Sequence, residues 1–460
     1  MLIDSHAHLD MSQFDHDRDD VINRAKSKGV EHIITIGTDL ESNKRAIDIA
    51  DKYPDIYAAI GIHPHEVKDI EDNTYDEIKE LIKNSKKIVA YGEIGLDFHY
   101  LYSPEDVQIK RFREQIDLAS EFNLPLIIHS REAEIETIDI LREAFKGKKG
   151  LNGVLHCFSG NIEMAENVIE MGFYISFSGI VTFKKADKIQ SIVKKIPVEY
   201  IIIETDSPYL APQPFRGKRN EPVYIEHICR KISELNGLSF EDVSRITSFN
   251  TMTLFGFGET EDKGRFVYKI RDSLYLNITN RCTDACTFCV RYYTDVVKGH
   301  NLRLNREPDT EEIIKEIGDP ERYKEIVFCG YGEPLLRLDL VKKIAGWVKK
   351  NGGRVRIDTN GHGNLIHKRN ILPELHGLVD EISVSLNAEN SEKYYKLCQP
   401  MFGRETYSKI KEFIKEAKRY IPDVGVTVIN IPSIDLVRCR EIASSELKVK
   451  FRVREYNVVG

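Results

Sequence analysis

No stretch of this 460-residue chain approaches the ~20 consecutive apolar residues of a membrane-spanning helix, so no transmembrane helix is expected. A basic excess is lacking too. The 66 Lys and Arg against 73 Asp and Glu give a formal charge of −7, which argues against bulk electrostatic attraction to nucleic acid. A nucleic-acid substrate therefore has to be held by a local patch or by bound metals. Cysteine is sparse, with eight residues in no even framework, which argues against a disulfide scaffold and fits a reducing cytoplasm. Asp4 and Asp10 interrupt the N-terminus where a secretory signal would be apolar. Low-complexity tracts and short repeats are missing as well. What is present is 41% apolar and 30% charged residues, the balance of a soluble globular protein long enough for two or three domains.

In the first half, short apolar runs alternate with amphipathic stretches. The runs fall at 2–8, 30–37, 56–63, 88–93, 125–129, 154–156, 173–177 and 200–206, and helical stretches at 15–28, 42–52, 104–122 and 132–145 lie between several of them. Near-continuous apolar strands alternating with helices predict a parallel sheet covered on both faces. Eight such units in this length match a (β/α)8 barrel, with a doubly wound open sheet as the alternative. In a barrel the C-terminal strand ends share one mouth.

That placement gives the histidines meaning. His6 and His8 lie two apart on the first run, so both rings leave the same face, with backbones ~6.6 Å apart at ~3.3 Å per residue. His63, Glu93, His129, His156 and Asp206 each end or follow another run, and would ring the same mouth. Imidazole and carboxylate suit zinc, manganese or a similar divalent ion, and a carboxylate can bridge two of them. Two ions ~3.5–4 Å apart clamp the attacking and leaving oxygens of a hydrolysis. Glu93 is placed to bridge; Asp206 can bind metal and accept a proton from the attacking water. The plain alternative for any single one of these residues is a strand-end cap or a satisfied core group.

The motifs His6-Ala-His8-Leu-Asp10, Gly61-Ile-His63-Pro-His65, Gly92-Glu93-Ile-Gly-Leu-Asp97, Ile128-His129-Ser-Arg131, His156-Cys-Phe-Ser-Gly160 and Glu204-Thr-Asp206-Ser-Pro-Tyr-Leu resemble those of TatD-type metal-dependent hydrolases. The resemblance runs from residue 1 to about 258. It implies a barrel enzyme, mostly described as a deoxyribonuclease, in which His6, His8 and Asp206 hold one ion, His129 and His156 another, and Glu93 bridges. The metals would be two of Mg, Mn or Zn. His63 and His65 are weaker candidates for contacts to a substrate phosphate or a third ion, with a structural role for at least one of them as the alternative; Arg131 and Arg216 could pair with phosphate oxygens, since guanidinium forks match that geometry, with loop salt bridges as the alternative.

Residues 259–271, polar and charged, are expected to link this domain (1–258) to a second (272–460). The second opens on Cys282-Thr-Asp-Ala-Cys286-Thr-Phe-Cys289 after a strand at 274–278. Three thiolates in one loop can hold an iron–sulfur cluster and leave one iron open to a cofactor. Structural zinc would want a second Cys/His pair, and none follows. Further strands are expected near 325–329, 353–358, 379–386, 424–429 and 449–454, which makes a partial (β/α)6 barrel. Gly330-Tyr-Gly332-Glu333-Pro follows its second strand, Asp358-Thr359-Asn360-Gly its third, and Ser385-Leu-Asn387 its fourth. These motifs look like the radical S-adenosylmethionine superfamily. The resemblance implies a [4Fe–4S] cluster on Cys282, Cys286 and Cys289, with S-adenosylmethionine held near Gly330, Gly332, Glu333, Thr359, Asn360, Ser385 and Asn387. An electron donor of flavodoxin or ferredoxin type follows from that. Tyr331 departs from the family, which usually has glycine there, and puts the local backbone path in question. Cys329, Cys398 and Cys439 read as isolated.

The expectation is thus a cytoplasmic fusion of a metal-dependent hydrolase acting on DNA or another phosphoester with a radical enzyme. Two rivals stand beside it: a barrel that cleaves a different ester or amide, and a chain in which one half only binds.

Overall fold

The computed structural model describes residues 1–147, 150–258 and 263–456. The chain divides into two compact units, Met1–Thr260 and Glu261–Gly460.

In the first unit, strands β1 (Leu2–Ala7), β2 (Val30–Ile36), β3 (Ile56–Ile60), β4 (Ile88–Asp97), β5 (Leu126–Arg131), β6 (Gly153–Leu155), β7 (Tyr174–Phe177) and β8 (Ile201–Ile203) pair in sequence order, all parallel. The order never reverses, so the doubly wound alternative falls. At the mouth the ring is closed by a bridge between Ala7 and Ser207, and Asp206 N donates to His6 O at 2.9 Å. One apolar cluster, drawn from one or two residues per strand and including Ile3, Ile34, Ile127 and Ile202, packs with Met252, Leu254 and Phe255 of the last helix. Branched side chains of this kind fill a barrel rather than leaving a pore. The helices begin on explicit signals: Asp39 accepts from Ser42 N at 2.8 Å while Ser42 Oγ accepts from Asp39 N at 2.9 Å, a reciprocal cap on Leu40–Lys52.

One glycine sets the geometry of the mouth. Gly95 pairs with His129 across β4 and β5 at φ +141°, and a Cβ there would stand 2.0 Å from His129 O. Only glycine permits that approach. It brings Glu93 and Asp97, which flank it on β4, beside His129.

The second unit holds β9 (Val267–Ile270), β10 (Ser273–Leu276), a two-stranded ribbon of β11 (Val296–Val297) and β12 (His300–Asn301), then β13 (Ile326–Phe328), β14 (Val355–Thr359), β15 (Glu381–Ser385), β16 (Asp423–Asn430) and β17 (Lys450–Glu455). The sheet order is β17-β16-β15-β14-β13-β10-β9. Six strands run parallel, as a partial barrel requires, and β9 pairs antiparallel with β10. The linker expected at 259–271 therefore needs correction at its far end. Val267–Ile270 alternates and turns back through Arg271 at φ +55° to cover a sheet edge, a pattern too short to stand out among charges. Residues 259–262 of that linker lie outside the described residues. On the strands, Leu274, Leu276, Ile326, Phe328, Val355, Ile357, Ile382 and Val384 join the helix-covered core. Their alternating neighbours face the other side. Among the described residues no helix is long and apolar enough to cross a membrane.

Candidate active sites

In the first unit β1 carries His6 next to its last residue and His8 follows just beyond its end, and the rings that leave the same face converge until their Nε2 atoms are 3.3 Å apart. Glu93 Oε2 lies 3.3 Å from His6 Nε2, and Asp206 Oδ1 lies 3.4 Å from His8 Nε2 and 3.8 Å from His6 Nε2. The other Glu93 oxygen, Oε1, faces a second set: His156 Nε2 at 2.7 Å, His129 Nδ1 at 2.9 Å and His63 Nε2 at 3.3 Å. Glu93 thus stands between two groups of ring nitrogens. His63, expected to touch a substrate phosphate or a third ion, sits with His129 and Glu93 in one of the clusters able to hold an ion.

The donor set fits divalent cations. Five imidazoles and two carboxylates meet with no Lys or Arg among them, and His6, His8, Glu93, His156 and Asp206 are all buried. Two ring nitrogens bound to one ion at ~2.1 Å stand about 3.0 to 3.4 Å apart at octahedral or tetrahedral angles. The 3.3 Å between His6 and His8 matches that range. Burial alone would push the Glu93 carboxyl up, yet His156 and His63 hold it well below the usual carboxylate range. Burial likewise opposes ionisation of Asp206, and His8, His6 and His156 keep its carboxyl low. The same burial drives His63 down to about 4, so its ring is a neutral ligand-type imidazole.

A further ring of contacts holds these rings in place. Asp97 Oδ2 is 3.0 Å from His129 Nε2 and 3.1 Å from His65 Nε2. Glu204 Oε1 accepts from Cys157 N and lies 3.6 Å from His156 Nδ1. Ile36 O stands 3.1 Å from His8 Nδ1. Asp4 accepts from Thr205 N at 2.8 Å and from the Thr205 hydroxyl, which ties the loop carrying Asp206 to β1. Asp97 and Glu204 were missed as functional residues although both lie inside the motifs; a carboxylate two or four positions from a ligand is the signal that could have found them. His65 reaches Asp97 rather than an ion position. Arg131 lies over the Tyr100 ring at 4.6 Å, and Arg216 over Phe183 at 4.0 Å. Within the 216–219 loop the salt-bridge alternative holds for Arg219, which pairs with Asp17 at 2.7 Å and Glu221 at 3.0 Å.

In the second unit Cys282, Cys286 and Cys289 are free thiols on the loop after β10. Asp284 N donates to Cys282 Sγ at 3.5 Å and Asn360 Nδ2 donates to it at 3.9 Å. Burial pushes the Cys282 thiol up to about 12 and raises Cys289, while Arg291 opposes both. Such buried, neutral thiols lack the charge compensation that a cationic cluster supplies, and three of them fit a four-iron cluster with one open iron. Cys398 is not isolated: Ala285 N donates to Cys398 O at 3.0 Å and Thr287 N donates to Leu397 O at 2.9 Å, which brings Cys398 beside the Cys286 segment. Spacing along the chain could not reveal that pairing.

The loop after β13 packs against the extension of β10. A Cβ on Gly330 would stand 2.3 Å from Asn277 Oδ1, and one on Gly332 would stand 2.2 Å from Arg281 O. Tyr331 leaves this path intact, because its N donates to Asn277 Oδ1 at 3.0 Å and its ring turns away to join Tyr268 and Leu302, the hydroxyl 3.1 Å from Asp295 Oδ1. Glu333 accepts from Thr359 Oγ1 at 2.8 Å, Asn360 N at 2.8 Å and Leu335 N at 3.0 Å. A carboxylate has about four acceptor positions, so one remains. Burial raises Glu333 to about 7 against those donors, and a cation placed there would favour its charged form. Ser385 Oγ lies 3.4 Å from Thr427 Oγ1, and Asn387, at φ +51°, has a buried Oδ1 with no hydrogen-bond partner among the described residues. An orphaned acceptor and a spare carboxylate position suit a ligand that carries an ammonium group.

Comparison with known proteins agrees on both units. Residues 3–256 match the family model for TatD-related DNases, and residues 276–442 that of the radical SAM superfamily. The metal-dependent hydrolase YabD of Bacillus subtilis is 46% identical over 255 residues, which covers 55% of this chain and 99% of that protein. The 3′-5′ ssDNA/RNA exonuclease TatD of Escherichia fergusonii is 34% identical over 260 residues, covering 55% and 99%. Among solved structures, the TatD homologue YjjV of Escherichia coli superimposes with a TM-score of 0.53 at 30% identity, covering 56% of this chain and 98% of that one. A TatD-family hydrolase from Entamoeba histolytica gives 0.51 at 27%, covering 55% and 97%.

Proposed function

Because this chain belongs to the TatD-related DNase family through residues 3–256 and carries a radical SAM domain at 276–442, we propose that it joins a divalent-metal phosphodiesterase acting on DNA to a [4Fe–4S] radical enzyme. The observation that carries the first half is Glu93, whose two oxygens face two separate sets of histidines. His6, His8 and Asp206 would hold one ion and His129, His156 and His63 another, with Glu93 shared; the imidazoles suit Zn, and the carboxylates suit Mn or Mg. Bound there, the ions supply Lewis-acid polarisation of the phosphoryl oxygens and lower the pKa of water. Asp206 is the chain's own proton acceptor, set at the mouth by its bond to His6 O and kept ionised by the neighbouring rings. Asp97 and Glu204 orient the rings of His129 and His156. The buried walls exclude bulk water, which strengthens each of these contacts.

In the second half, Cys282, Cys286 and Cys289 would ligate the cluster. Gly330, Gly332, Glu333, Thr359, Asn360, Ser385 and Asn387 would hold S-adenosylmethionine, the spare Glu333 oxygen accepting from its ammonium. The cofactor supplies the radical chemistry; the chain positions it and excludes water. An electron donor of flavodoxin or ferredoxin type is required, and a cytoplasmic location agrees with the free cysteines.

The test is hydrolysis of single-stranded DNA, duplex DNA, RNA and small phosphodiesters by the full-length protein in Mg2+, Mn2+ or Zn2+. Cleavage of DNA that chelation stops supports the nuclease. Cleavage confined to carboxylic esters or amides replaces it with the rival barrel activity.

A further inference from the structure

The loop between β4 and the helix Glu105–Glu121 carries two tyrosines that the hydrolytic chemistry leaves unused. The Tyr100 and Tyr102 rings stack in parallel, with centroids 5.4 Å apart and planes 2° apart. Both are exposed, 48% and 57%, at the rim of an otherwise buried centre. We infer that Tyr100 and Tyr102 form a stacking platform for a nucleobase of single-stranded nucleic acid, placed so that the adjoining phosphodiester enters the Glu93 centre. This rests on the phosphodiesterase proposed above and adds how the substrate is chosen.

The platform is one side chain from the chemistry. The His65 ring meets Tyr102 edge-on at 4.7 Å and Tyr100 at 5.7 Å, and His65 Nε2 is 3.1 Å from Asp97, which contacts His129. The loop is fixed on both flanks while its rings stay open. Asp97 Oδ1 accepts from His99 N at 3.0 Å and Tyr100 N at 2.9 Å. Beyond the rings, Ser103 Oγ donates to His65 O at 2.9 Å, and Lys68 Nζ donates to Tyr102 O at 3.1 Å. Leu101, between the tyrosines, takes φ +51°. A surface already ordered in this way binds without a large entropic cost. The Arg131 guanidinium over Tyr100 adds a cation whose N–H groups remain able to meet a phosphate.

The chemistry of the site favours a base over another occupant. Two phenol rings beside the Arg131 guanidinium offer π-faces and one positive charge, which suit a base and its phosphate. Base–aromatic stacking is sequence-tolerant because every base has a π-face. Bases inside a duplex are already stacked and paired, so the platform selects single strands or frayed ends. The acidic chain as a whole gives no long-range pull, so local contacts such as stacking have to add to what the metal centre holds.

The experiment uses full-length protein in Mg2+ with short oligonucleotides whose linkages are phosphorothioate and resist cleavage, carrying 2-aminopurine at the 3′ or the 5′ end. Binding should quench the fluorescence of one of the two probes. Tyr100→Ala and Tyr102→Ala should each remove the quenching and weaken binding at least about fivefold, the lower end for one base–aromatic stack. The Phe variants should keep both, which separates a ring from a hydroxyl or a fold effect. Quenching and affinity unchanged in the double Ala variant overturn the platform, as does a wild-type protein that quenches neither probe. A separate assay on bis(p-nitrophenyl) phosphate reports phosphodiesterase chemistry without a base. Its failure in the wild type defeats the function proposed above, whatever the tyrosines do.

Discussion

Glu93 Oε1, on β4, and His156 Nε2, just past the end of β6, meet at 2.7 Å with both side chains buried. A carboxylate and an imidazole so placed, with more rings on either side, are held together for a purpose beyond stability. A buried charge cluster costs desolvation that packing alone would avoid.

Gly95→Ala would bring a Cβ to within 2.0 Å of His129 O and force the backbone away from φ +141°. The expected cost is about 1–3 kcal/mol, the range for strain at a special backbone position. Hydrolysis should fall further than stability, since β4 and β5 can separate only by moving His129 from Glu93. Thermal unfolding read alongside bound-metal analysis checks this; unchanged metal content with a normal rate would contradict it.

Asp97→Asn should lower the affinity for divalent ions about 10- to 100-fold, as loss of a carboxylate behind a ligating histidine does. The carboxylate stands 3.0 Å from His129 Nε2 and touches no proposed ion position. A metal titration should therefore show a weakened site whose activity returns at high metal concentration. A rate loss that added metal cannot repair would make Asp97 something other than a positioning residue.

The pH dependence of stability should show the ion-pair network that straps the 216–219 loop. Arg219 first, and then Arg24, hold Asp17 down to about 2 from its ordinary 3.8. The folded pKa is depressed, so the stabilisation is complete above about 3.9, the unfolded value, and is lost as pH falls through about 2. An Asp17→Asn protein should melt below the wild type at pH 5 to 7, and the gap should close as the pH drops from about 4 towards 2. A gap that widens in acid would contradict the assignment.

The two centres need different chemistry, oxygen and nitrogen ligands for one and thiolates for the other. Cys286→Ala should remove the cluster's chromophore and the reductive cleavage of S-adenosylmethionine, measured as 5′-deoxyadenosine after anaerobic reconstitution. Hydrolysis should persist. Retention of cluster and cleavage would refute the ligand set. The Cys398 thiol beside Cys286 is the group to replace next in that case.

Much of this was legible in the sequence because the signals are local or periodic. Eight apolar runs gave eight strands within a few residues, and six gave the parallel strands of the second sheet. The structure brings His6, His8, Glu93, His129, His156 and Asp206 together, as residues at strand ends that share one mouth in a barrel are expected to be. What stayed hidden depends on contacts between distant segments. His63 joins Glu93, and Asp97 supports His129, only once β3, β4 and β5 are in register. The edge strand β9 lies in a charged stretch that reads as a connector. Tyr331 looked disruptive where glycine is usual, and only the fold shows its ring turning into a pocket with Tyr268 and Leu302.

The most direct measurement of the central claim compares wild-type protein with Glu93→Gln for divalent metal content and DNA hydrolysis, with the iron cluster removed from both. The substitution keeps the shape of the side chain and removes the charge shared by two sets of histidines. The account predicts bound divalent ions and chelator-sensitive cleavage in the wild type, and loss of both in the variant with the fold unchanged by circular dichroism. A Glu93→Gln protein that cleaves DNA at the wild-type rate in the presence of chelator would contradict it.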